Sequence, residues 1–132
     1  SKIYAAELLK ILGRFNEARK IEIKGISHIT GGGIGGNFRR ILKNKRHGAI
    51  FYDVFAPSEM MLEIQKMGNV TEAEAYQTWN MGNGMMLVVA SENVDKILTT
   101  LKIEAKIVGE ITDSGIIEIK TKGNHPQLLR YE

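Results

Sequence analysis

The chain has 132 residues, enough for one domain with a real core, and its 43% hydrophobic and 25% charged content is that of an ordinary globular protein. It lacks cysteine, which excludes disulfides and thiolate metal sites, and no apolar run approaches the roughly 20 residues that span a bilayer. Net charge is +3, but residues 24–52 carry Lys24, Arg39, Arg40, Lys43, Lys45 and Arg46 with no Asp or Glu, leaving −3 elsewhere. This is either the footprint of a phosphate-bearing partner or a solvated basic turn. No secretory-type apolar stretch occupies the first residues, so a cytoplasmic location and no membrane are expected.

Ala5, Leu8, Leu9 and Leu12 form one stripe of an amphipathic helix that Gly13 ends. Alternation at Ile21 and Ile23, continued by Ile26 and Ile29, predicts a strand leading into a glycine-rich loop, and a second strand is predicted over residues 49–55. Pro57 suits a first helical turn, with the following SEMMLEIQKM stopping at Gly68, and Thr71 with Glu74 predicts a capping box opening the helix TEAEAYQTW. MMLVVA reads as a buried strand, and Ser91 as the N-cap of a helix carrying Val94, Ile97, Leu98 and Leu101. Residues 106–111 and 116–120, separated by TDSG, predict an antiparallel hairpin. The expected fold is a single α/β (α+β) domain over residues 1–132, a mixed sheet flanked by helices.

Residues 28–40 read HITGGGIGGNFRR, with five glycines among the ten residues ending at Asn37. Glycine lets backbone amides turn inward and approach an anion, Asn37 can cap a short helix FRRILK, and Arg40 one turn inside can offer a planar fork of donors to phosphate. The other reading is a flexible connection. No G-K-[ST] closes the segment and no dinucleotide fingerprint is present. His28 is open to two readings, a core histidine or a ligand group, depending on strand phase. In WNMGNGMM, Asn80 and Asn83 can bond a ligand or simply make turns. Glu59 and Glu63 are read as solvated helix charges, His47 and His125 lack ligand-spaced partners, and no nucleophile elbow occurs, so no metal set is expected and no catalytic residue is assigned.

GISHITGGG followed by Asn37-x-x-Arg40, and then NVTEAEAYQTWNMGNGMMLVV, resemble aminoimidazole ribonucleotide synthetase, as does the segment Val108, Gly109, Glu110 before the last strands. The resemblance covers nearly the whole chain and implies the family's C-terminal domain fold, an architecture shared with formylglycinamide ribonucleotide amidotransferase, selenophosphate synthetase and thiamine phosphate kinase. It implies ATP-dependent closure of formylglycinamidine ribonucleotide to aminoimidazole ribonucleotide in purine biosynthesis. It places His28, Thr30, Gly31, Gly32, Gly33, Asn37 and Arg40 at the substrate, with Asn80, Gly82 and Gly84 shaping the adjoining wall. ATP and Mg2+ are implied for the full enzyme, which the resemblance implies is a homodimer, and are held mainly by an N-terminal half that this sequence does not contain; the chain is expected to be a fragment inactive alone. Gly36 and Arg39 depart from the family's acidic residue and proline, which predicts a more flexible, more basic loop. The alternatives are another ATP-dependent enzyme of the superfamily, or a phosphate- or RNA-binding module. Nucleic-acid binding is disfavoured because only Phe38 lies among the basic residues.

Overall fold

The computed structural model describes residues 2–42 and 46–132. Its helices and strands run α1 (Ala5–Leu12), β1 (Gly25–His28), α2 (Gly33–Arg39), β2 (Gly48–Phe51), α3 (Glu59–Met67), α4 (Glu72–Thr78), β3 (Met85–Val88), α5 (Val94–Thr100), β4 (Gly109–Thr112), β5 (Ile117–Lys120) and β6 (Leu128–Tyr131). This is a mixed α/β arrangement, as expected, with one two-stranded sheet (β1 beside β3) and one four-stranded sheet. Lys43, the end of the expected helix FRRILK, and Lys45 of the basic stretch lie outside the described residues.

The chain forms two compact units. The first comprises residues 1–26 and 87–107. Ile11, Ile21, Ile23 and Ile97 make its buried core, with Leu8, Leu12 and Leu101 packed against them. Gly13 ends α1 at φ 82, a left-handed angle that glycine tolerates, and its N–H donates to Leu9 O. The expected strand begins only at Gly25: Ile21 and Ile23 alternate because both side chains are buried, and the Ile21 N–H donates to Ile11 O rather than to a ladder. Ser91 does not cap α5. It opens a 3-10 turn, Ser91–Asn93, and α5 follows at Val94 with no side-chain cap.

The second unit, residues 27–86 and 108–132, holds the four-stranded sheet in the order β4-β2-β5-β6. The expected hairpin is not formed, because β2 lies between its arms, antiparallel to β4 (Gly48↔Thr112) and parallel to β5 (Ala49↔Ile117). The physical reason is visible at Gly48. A Cβ there would lie 2.1 Å from Ile116 O and 2.6 Å from Ser114 Oγ, so a residue without a side chain lets β2 thread beside the TDSG turn. The apolar GAIF segment thereby gains a partner on each edge. Phe38 of α2 meets Phe51 of β2 edge to face, with ring centroids 4.9 Å apart. Helix α3 begins after Ser58, which accepts from Met61 N–H, so Pro57 precedes the helix instead of occupying its first turn. The Thr71/Glu74 capping box opens α4 as the sequence predicts.

Candidate functional site

The glycine segment is more ordered than a flexible connection. Gly32 (φ 100) and Gly33 (φ 60) take left-handed angles, and α2 starts at Gly33, so three of the five glycines are helical. Asn37 therefore does not cap the helix. It sits inside it, 5% exposed, and its Nδ2 donates to the carbonyls of Gly33 (2.8 Å), Gly31 (3.1 Å) and Thr30 (3.2 Å). An isolated helix of this composition would be poor, since each glycine costs about 1 kcal/mol relative to alanine. The asparagine offsets that cost by tying the turn to its own helix.

The glycines divide into two kinds. A Cβ on Gly33 would stand 1.8 Å from Tyr76 O, and one on Gly35 would stand 2.8 Å from Tyr131 Cγ, so these two let α2 lie against α4 and β6. Around Gly31 and Gly36, among the described residues, nothing lies within 4 Å of such a Cβ. These two open glycines leave backbone exposed where a ligand can approach it.

The two readings of His28 resolve toward the surface: Ser27 and Ile29 are buried, while His28 and Thr30 are exposed. Arg40 is exposed and closes the far end of α2 as its C-cap, opposite Gly32, and its Nη1 reaches back to Asn37 Oδ1 (3.4 Å). It is thus not one turn inside a helix starting at Asn37. Arg39 does not loosen the segment. Its guanidinium donates to His47 O (3.1 Å), Gly115 O (2.8 Å) and Tyr131 O (3.2 Å), fastening α2 to the sheet.

The second segment is a wall joined to the first. Asn80 Oδ1 accepts from Gly82 N–H (3.0 Å), Gly82 at φ 86 presses against Ala56 O, and Gly84 O accepts from Ile29 N–H (3.0 Å). Asn83, 3% exposed, accepts from Phe55 N–H (2.8 Å) and donates to Phe55 O (3.1 Å) and Met81 O (2.8 Å), substituting for a strand partner.

These contacts fix where the glycine segment lies. His47 precedes β2, Gly115 precedes β5, and Tyr131 pairs with Ile117, so Arg39 holds the C-terminus of α2 at the amino edge of the parallel pair β2/β5. Helix α2, about 10 Å long, matches a four-residue strand, so its start and the glycine turn fall at the carboxyl edge. Tyr76 agrees: its carbonyl abuts Gly33, and its hydroxyl accepts from Lys122 N–H (2.8 Å), just past β5. Carboxyl ends of parallel strands are the usual ligand side of α/β sheets.

Sequence reasoning missed four residues at or behind this edge: Asp53, Glu72, Tyr76 and Lys122. Lys122 Nζ pairs with Asp53 Oδ1. Glu72, 2% exposed, accepts from Gln65 Nε2 (3.1 Å) and from the N–H groups of Gly123 (2.8 Å) and His125 (3.2 Å). Burial pushes its carboxyl up, but the hydrogen bonds from Gln65, Thr121, His125 and Gly123 outweigh it and hold the group below the ordinary carboxylate range. Burial first, with the Glu72 charge nearby, pushes Tyr76 up to about 12 against the lowering hydrogen bond from Lys122 N–H, so it is a neutral hydroxyl. Asp53 and Lys122 stand in no motif, Glu72 and Tyr76 lie in the segment NVTEAEAYQTWNMGNGMMLVV without a sign of their partners, and only the fold brings the four together. Among the described residues no group of three or more His, Cys, Asp or Glu gathers to hold a metal ion.

The family described as AIR synthase related protein, C-terminal domain, matches residues 4–122. The chain is similar to phosphoribosylformylglycinamidine cyclo-ligases from Methanopyrus kandleri (33% identity, 97% of this chain and 35% of the relative), Carboxydothermus hydrogenoformans (38%, covering 85% and 32%) and Bordetella pertussis (35%, covering 84% and 31%). It spans about a third of the length of these relatives.

Proposed function

This chain belongs to the AIR synthase related protein family as a C-terminal domain, and on that premise we propose that it supplies the substrate side of a phosphoribosylformylglycinamidine cyclo-ligase. The observation that carries the reading is the meeting of the two glycine segments, through Ile29 N–H and Gly84 O, beside the carboxyl edge of β2 and β5. The open backbone at Gly31 then faces a nucleotide's phosphate or ribose, with His28 and Thr30 exposed beside it. Asn37, Gly32 and Gly33 shape that turn, Arg40 braces Asn37 from behind, and Asn80, Gly82 and Gly84 form the adjoining wall.

The reaction is ring closure of formylglycinamidine ribonucleotide: ATP phosphorylates the formyl amide oxygen, an internal nitrogen attacks, and phosphate leaves. An amide oxygen is a poor leaving group and phosphate a good one. In this reading ATP and Mg2+ are held mainly by the N-terminal portion of the enzyme, which also forms most of the homodimer contact. Among the described residues no helix is long and apolar enough to cross a membrane. The test is to combine the chain with the N-terminal portion of its own enzyme and assay ATP-dependent formation of aminoimidazole ribonucleotide. Turnover by the pair and none by either part is expected; a folded pair without turnover overturns the proposal.

A further inference from the structure

Asp53 stands two residues past β2 and Lys122 two residues past β5, and these strands run parallel in register Phe51↔Ile119. Their ion pair therefore lies at the carboxyl edge, the same edge as the glycine turn. The backbone at Lys122 is fixed from that side, because Tyr76 accepts its N–H while the carbonyl of the same tyrosine abuts Gly33. One wholly buried residue, through its carbonyl and its hydroxyl, thus links the start of α2 to Lys122. The paired side chains themselves stay accessible, 37% exposed for Lys122 and 49% for Asp53. A pair this exposed contributes little to stability, so its placement calls for another account.

We propose that Lys122 is a phosphate-binding cation of this site and that Asp53 is its internal counter-ion, displaced when the phosphate monoester of a nucleotide substrate arrives. The inference rests on the reading that the glycine turn faces that substrate. An ammonium carries three donors and a phosphate dianion is the stronger acceptor, so exchange of carboxylate for phosphate is favoured once the ligand is held by a second contact. Asp53 lowers the affinity of the empty site and keeps the cation from recruiting other anions.

The test is titration of the 132-residue chain with ribose 5-phosphate at low ionic strength, followed by calorimetry and by amide NMR shifts. Lys122→Gln is expected to weaken binding about tenfold, Lys122→Arg to stay within about threefold of the parent, and Asp53→Asn to tighten it severalfold. Opposite signs from the two partners are the signature, since a purely structural pair would move affinity in neither direction. If Lys122→Gln binds like the parent while Gly31→Val loses binding, this inference fails and the glycine-turn reading stands. If Lys122→Gln loses binding and Gly31→Val does not, Lys122 is upheld and the glycine turn is not the site. Absence of binding by the parent chain overturns both.

Discussion

The two glycine-bearing segments of the second unit each contain a buried asparagine, and the asparagines work in opposite directions. Asn37 turns inward on its own segment, donating to the carbonyls of Thr30, Gly31 and Gly33. Asn83 turns outward and takes both backbone groups of Phe55, 28 residues away. The first arrangement holds a turn in shape without covering it, so Gly31 and Gly36 stay open. The second bolts a loop to the segment at residues 55–56, with Gly82 against Ala56 O. A self-braced turn beside a bolted wall is what a binding surface needs, since the exposed backbone is then preorganised and little ordering remains to be done on binding.

The comparison breaks most severely at Gly33. Alanine there needs a left-handed φ and puts a methyl 1.8 Å from Tyr76 O, so α2 must leave α4. A loss of about 3 kcal/mol or more is expected in chemical or thermal unfolding. A loss under about 1 kcal/mol would mean that α2 does not rest on Tyr76. Asn37→Asp comes next. It replaces a donor by an oxygen facing three carbonyls, and about 2–3 kcal/mol is expected. Asn83→Asp faces only two carbonyls and keeps its bond from Phe55 N–H, so it should cost less, and the reverse order would show that the two braces are misassigned.

Glu72 sharpens the contrast at a third loop, residues 121–127, by holding the N–H groups of Gly123 and His125 beside Lys122. Its pKa is lowered in the folded chain, so its stabilisation is present above the unfolded carboxyl value and is lost as pH falls through the lowered folded value. Glu72→Gln should therefore cost about 1–2 kcal/mol near neutral pH, with the difference from the parent shrinking below about pH 4.3. A gap that does not change with pH would show that the charge is not what holds the loop.

Much of the fold could be read locally, and the exceptions share one cause. Helix α4 and its capping box follow from Thr71 and Glu74, three residues apart, and the stop of α1 from Gly13. The insertion of β2 between β4 and β5 is a pairing of distant segments, and the only local trace of it is that Gly48 lacks a side chain. The strand β6 leaves no clear local signal, because its alternation is shallow and Leu128 is exposed. Within the glycine segment, density alone does not say which glycines are free, since Gly33 and Gly35 are explained by Tyr76 and Tyr131, far away in sequence. Arg39 looked like extra positive charge for the same reason: its three carbonyl partners come from segments that only the fold assembles.

The smallest expected effect is the most telling one. Gly31 has no left-handed φ requirement, is exposed, and among the described residues has open space where a Cβ would go. Gly31→Ala should change stability by less than about 0.5 kcal/mol, within the range of ordinary surface substitutions. A methyl group on that backbone would nevertheless stand between the turn and an approaching phosphate, so affinity for ribose 5-phosphate should fall severalfold while the unfolding transition stays in place. Gly33→Ala would lose both together. Loss of binding without loss of stability separates a glycine kept for a ligand from one kept for packing, and if Gly31→Ala binds as the parent does, the open glycine is only a gap in the surface.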